Sequence, residues 1–203
     1  SLTISAITKD DPAVVTFTEE SAGSPANGDI VVLQNIEGMD ELNGQVARVV
    51  SRGGSGASST MGLEGIDSTN FGTFTSGTFK IVESFVSFDK ARTWNAQNAA
   101  PTTIDVTTLK DRRAKVVYGT PGAITGDFTA LLNPGGDAEA ELIEATNSQT
   151  TRAVRITYAD SRKTLMNARV VFGGGFGLSP NAPAESNGNL TVEGAVGIVH
   201  YAT

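Results

Sequence analysis

The chain has 203 residues, 39% of them apolar and only 6% aromatic, with a formal charge of −7 and no cysteine. That length and apolar content suffice for one large core or two small ones, while the missing thiols exclude disulfide staples, thiolate nucleophiles and cysteine-bound metal centres. A net negative chain is a poor candidate for tight nucleic-acid binding by counterion release, and no apolar run nears the ~20 residues that cross a bilayer.

The charge is unevenly placed. Residues 1–82 hold 4 basic and 10 acidic side chains, whereas residues 83–203 hold 11 and 12. We therefore expect two domains, 1–82 and 83–203. The opening Ser1-Leu2-Thr3-Ile4 lacks the basic and apolar segments of a signal peptide, so neither secretion nor membrane insertion is expected. Abundant glycine, 23 residues, among β-branched side chains favours short strands joined by turns.

In the first domain, residues 2–8, 13–18, 29–33, 45–50 and 73–76 read as strands, separated by Asp11-Pro12, Asn27-Gly28, Asn43-Gly44 and the glycines of 53–56. About five strands at this spacing predict a small barrel. In the second domain, residues 101–110 read as a strand that runs into a charged loop, and another strand begins after Pro121-Gly122. A short helix follows over 137–147, with Asp137 capping it or opening its first turn. Glu139 and Glu141 suit the positive end of its dipole, and Ala138, Leu142, Ile143 and Ala145 form a narrow apolar stripe. Three more strands close the chain.

The second-domain strands alternate between apolar and polar positions. Ile124, Phe128 and Leu132 oppose Thr125, Asp127 and Thr129; Val154, Ile156 and Tyr158 oppose Arg155 and Thr157. Met166, Val170 and Phe172 oppose Asn167 and Arg169, and Leu190, Val192, Val196 and Ile198 oppose Thr191 and Glu193. The predicted product is a sheet with a helix on its apolar face, water on the other, and unpaired edges that invite pairing with a neighbouring copy. The fold class is thus mainly β, a small barrel followed by a β-sandwich or barrel with one short helix.

Catalytic and metal chemistry find little support. The single histidine, His200, allows no triad or histidine cluster. The glycines at 173–175 and 177 lack the Lys-Ser/Thr of a phosphate loop, and Pro180 blocks its helix; a bulge or flexible loop is expected. Asp67-Ser68-Thr69-Asn70 lacks the ligand spacing of a calcium loop and reads as a turn. Asn189-Leu190-Thr191 is a glycosylation sequon without a secretory context. Trp94 serves either a core or a subunit interface. We expect no enzyme, no cofactor and no metal.

Two resemblances organise these elements. Ile7-Thr8-Lys9, Pro12-Ala13-Val14-Val15-Thr16, Asn27-Gly28-Asp29, Gly38-Met39, Glu41-Leu42-Asn43-Gly44 and Asp67-Ser68-Thr69-Asn70-Phe71-Gly72 resemble the FCCH-type β-barrel module, which recurs in phage structural proteins. From about Glu83, the order Ile104-Asp105-Val106-Thr107-Thr108-Leu109, loop, Pro121-Gly122, strand, helix and a closing strand through Val192-Glu193-Gly194-Ala195-Val196 resembles the tail tube protein of long, non-contractile-tailed phages (siphophages).

The second resemblance implies a major tail protein of the virion that is assembled in the host cytoplasm. Its hexameric rings would stack into a conduit for DNA ejection, with the barrel decorating the outside. Partners implied are other copies of the chain, tail terminator, tail tip and tape measure proteins, and DNA that passes without specific binding. On this reading Asp127, Arg155, Asn167, Arg169, Thr191 and Glu193 line the lumen, and the loop with Lys110, Asp111, Arg112, Arg113, Lys115 and Tyr118 contacts the adjacent ring, helped by Val116 and Val117. The rival reading is a capsid-decoration or tail-fibre module that binds host surface or carbohydrate.

Overall fold

The computed structural model describes residues 1–19, 23–98, 100–120, 122–131, 135–177 and 183–201. Pro121, Leu132 and Pro180, invoked above, lie outside them, as do the side chains of 174–177 and 195–197.

The first six strands are β1 (Leu2–Ile7), β2 (Val14–Phe17), β3 (Ile30–Glu37), β4 (Val46–Gly53), β5 (Ser59–Leu63) and β6 (Ser76–Val82). They close into a barrel in the order β1-β2-β5-β4-β3-β6. Turn chemistry sets their limits: Gly28 and Gly44 take the positive φ, 96° and 78°, that their Asn-Gly turns require. Inside, Phe17 and Phe79 meet edge to face at 5.1 Å, amid Val15, Leu33, Met61 and Leu63 at 0% exposure.

The later elements are β7 (Ala91–Asn98), β8 (Thr103–Asp105), β9 (Val116–Tyr118), β10 (Ile124–Leu131), α1 (Asp137–Ser148), β11 (Thr151–Thr157), β12 (Lys163–Gly177) and β13 (Glu185–Tyr201). Five of them form an antiparallel sheet in the order β11-β12-β13-β10-β7, and among the described residues β8 pairs only with β9. Helix α1 lies on β12. Beneath it a core of Phe128, Val170, Phe172 and Leu190 is joined by Phe88, with the Phe128 and Phe172 rings stacked at 5.8 Å. Thr146 ties helix to sheet: its Oγ1 donates to the Leu142 carbonyl at 2.8 Å and accepts the Phe172 N–H at 2.9 Å. Arg152 Nε adds a bond to Glu141 Oε1 at 2.6 Å.

A third core joins barrel and sheet. Ile30, Val32 and Val46 from the barrel pack with Leu165 and Tyr201 from the sheet, flanked by Val82, Phe85 and Ala153. The Arg48 guanidinium sits 4.4 Å over the Tyr201 ring while Glu64 accepts its Nε and Nη2 protons, and Arg155 sits 4.2 Å over Phe85. Burial pushes the Tyr201 phenol above the ordinary tyrosine pKa. The two bodies therefore share apolar surface instead of hanging on a bare linker.

The polar sheet face, its edges and the projecting arm

The side of the sheet opposite α1 is built by alternation and register. On β12, Met166, Ala168, Val170 and Phe172 point to the helix-side core, so Leu165, Asn167, Arg169 and Val171 occupy the other side. Cross-strand pairing then sets polar rows across four strands. Arg169, Thr191, Thr125 and Gln97 form one row; Val171, Asn189, Asp127 and Asn95 form the next. All but Val171 are polar, and all eight are exposed. Thr93 and Thr129 hydroxyls share a hydrogen bond at 2.6 Å, and Arg169 Nη2 donates to Glu193 Oε1 at 3.2 Å.

The six residues expected on this face separate into two groups. Asp127, Arg169, Thr191 and Glu193 lie on its open part, with two carboxylates against one guanidinium. Asn167 does not: it shares their side but is only 4% exposed, close beneath the Asn43-Gly44 turn of the barrel. Alternation assigns its side correctly, and a segment more than a hundred residues upstream covers it. Arg155 stands at the same corner, stacked on Phe85. The barrel thus meets the sheet on its polar side, where Ala153, Leu165 and Tyr201 are covered.

Both sheet margins are open. Among the described residues, β11 pairs only with β12, and β7 only with β10. Each margin presents a row of backbone groups without a strand partner. Trp94 lies on β7, opposite Phe128 and 37% exposed.

Between β7 and β10 the chain leaves the sheet as an arm. Its hairpin pairs Thr103 with Tyr118, Ile104 with Val117 and Asp105 with Val116. The strand expected over 101–110 is cut to three residues because acidic side chains capture the backbone that follows. Asp105 Oδ1 accepts the Thr107 N–H at 2.8 Å, and Asp111 Oδ2 accepts both the N–H of Thr108 at 2.9 Å and its hydroxyl at 2.8 Å. Lys115 also pairs with Asp111, and together with these Thr108 bonds it holds the Asp111 carboxyl below the ordinary aspartate pKa. The arm is nevertheless bare: Tyr118 is 67% exposed, and Leu109, at its tip beside Lys110, Arg112 and Arg113, is wholly exposed.

The remaining candidates resolve into structure. Thr164 Oγ1 lies 2.8 Å from His200 Nδ1 and 3.2 Å from the Tyr158 hydroxyl. Ser68 Oγ donates to the Thr8 carbonyl at 2.7 Å and Asp67 accepts the Thr69 N–H, the turn chemistry expected there. Gly173, at φ 88°, begins a bulge within β12. Among the described residues no three His, Asp or Glu side chains converge on a metal-sized site.

Comparison with known proteins follows the same line. The model of the family described as "Phage tail tube protein, TTP" matches residues 37–200, from the last residue of β3 nearly to the end of β13. Among solved structures, one described as "Virion of native gene transfer agent (GTA) particle" is similar at 14% identity and a TM-score of 0.44, covering 58% of this chain and 89% of that one. That likeness is too weak to carry an argument. Curated proteins return no match. The family match spans well over half of the chain and both of its bodies, and so the chain belongs to the phage tail tube proteins, structural components of the virion tail and not enzymes.

Proposed function

We propose that six copies close into a ring by joining their five-stranded sheets edge to edge, and that rings stack into a conduit for DNA ejection. The observation that carries this reading is the sheet itself, apolar under α1, polar opposite, and open at β7 and β11. The strand order makes β7 and β11 run in the same direction. Rotation about a ring axis preserves direction, so β7 of one copy runs parallel to β11 of the next. Thirty strands, at ~4.8 Å spacing and ~40° tilt, make a cylinder about 60 Å across at the backbone. That leaves a bore wider than duplex DNA.

The lining we assign is Asp127, Arg169, Thr191 and Glu193, flanked by the Thr and Asn rows. Two acids against one base hold few phosphates, so DNA passes instead of sticking. Residues 1–82 form a domain that resembles the FCCH-type barrel; it packs on the polar side of the sheet, with its Asn43-Gly44 turn over Asn167 and beside Glu193, so in this ring it borders the bore and does not decorate the outside. The loop with Lys110, Asp111, Arg112, Arg113, Lys115 and Tyr118 contacts the adjacent ring. Negative-stain imaging of the purified chain tests the proposal. Hollow rods of uniform width support it; compact monomers or trimers at every concentration overturn it and favour a decoration or fibre module.

A further inference from the structure

At the far end of the β7–β10 pair from the arm lies a groove of about 300 Å³. Its floor is apolar, made by Val86, Phe88, Leu131 and Phe172, and Val86 is 50% exposed. Its rim carries Asp89, Asp137 and Glu139 against one cation, Lys90. The arm has the opposite character. Its apolar tip, Leu109, stands fully exposed within a run carrying Lys110, Arg112, Arg113 and Lys115 against one acid, Asp111.

We infer that the groove is the receptor for the arm of a second copy, with Leu109 seated over Phe88 and Phe172 and the tip cations facing Asp89 and Asp137. This rests on the stacked-ring reading and names the surface that the loop contacts. Position favours it. The arm departs where Asn98 pairs with Ile124, whereas the groove adjoins Lys90 and Leu131 at the other end of the same two strands. In copies stacked head to tail, the arm end of one therefore faces the groove end of the next. Such a contact joins two different surfaces and does not close on itself, so it propagates a filament.

Reach is adequate too. The eleven residue-to-residue steps from Asn98 to Leu109 span ~36 Å extended, against ~26 Å for the eight-residue strand beside them. Charge complementarity adds steering and register, and the buried leucine adds the apolar contact.

The test uses the full chain, whose lack of cysteine gives a clean background. Leu109→Cys combined with Ala138→Cys, oxidised after assembly, is expected to give a ladder of covalent oligomers well beyond the dimer. Leu109→Cys with Ser5→Cys on the barrel surface should give less than a tenth of that product. A second arm uses charge. Arg112→Glu with Arg113→Glu should raise the protein concentration needed for rods at least tenfold, and adding Asp89→Arg with Asp137→Arg should recover most of the loss. Rods without the ladder, or equal ladders from both cysteine pairs, overturn the groove assignment and leave the tube standing. No rods from the parent chain overturn both.

Discussion

Replacing Leu165 by Ala tests whether barrel and sheet fold as one body. Leu165 is 0% exposed and packs among Ile30, Val32, Val46 and Tyr201, so its side chain belongs to both halves of the chain. Truncating a fully buried leucine removes transfer energy and leaves a cavity, together about 3 kcal/mol. For a chain of this length each kcal/mol moves the melting temperature by about 2–4 °C, so a fall of roughly 6–12 °C is expected. Two probes should register it together. Trp94, the one tryptophan, reports the sheet edge, and amide exchange at Val15 and Leu63 reports the barrel. Because the lost contacts span the junction, both probes shift by the same free energy. If the Trp94 transition moves while barrel exchange stays at its parent value, or the reverse, the shared core does not couple the two bodies and the reasoning fails.

Other substitutions probe separate parts of the account. A Cβ at Gly188 would lie 2.2 Å from the Phe128 ring, which Phe88 and Phe172 hold in place, so Gly188→Ala should cost about 1–3 kcal/mol in thermal unfolding. Loss below a few tenths would show that the ring moves freely. Asp127→Lys with Glu193→Lys changes one exposed and one half-exposed group and should leave the melting temperature within ~2 °C, yet convert the assigned lining into one that retains DNA, with retention falling as salt rises. Rods that ignore DNA at low salt would place these residues elsewhere. The lowered pKa of Asp111 gives the arm tip an acid limit. Its bonds to Thr108 and Lys115 contribute in full above the ordinary aspartate value of about 3.9 and fade only as the pH falls below it. The Thr108 amide resonance, followed by NMR, should hold steady to that point; a shift centred above it would contradict the assignment.

Much of the fold is written locally, in turn residues and alternation. Asn27-Gly28 and Asn43-Gly44 turn the chain into β3 and β4 because their glycines accept positive φ, and the alternating Phe128, Val170 and Leu190 reveal which side of the sheet packs. What local pattern hides is short, glycine-interrupted or covered from afar. Strand β5 is not legible in the sequence because Gly62 interrupts five residues; its small size is needed where Val50 approaches within 3.1 Å of a Cβ position. The strand expected at 73–76 lies instead over Ser76–Val82, where Gly77 masks the alternation that Phe79 continues. β7 gives no signal because an edge strand of Ala, Arg, Thr, Asn and Gln around one Trp has no apolar period. Asn167 shows the limit most plainly: periodicity fixes a side of the sheet, whereas burial depends on the barrel turn that folds over it.

The most direct test of the account is a cryo-EM reconstruction of rods assembled from the purified chain. It should show six copies per ring, β7 of each running parallel beside β11 of the next, and Asp127, Arg169, Thr191 and Glu193 facing the bore. Rods in which these two strands remain apart, or in which α1 faces the axis, would contradict it.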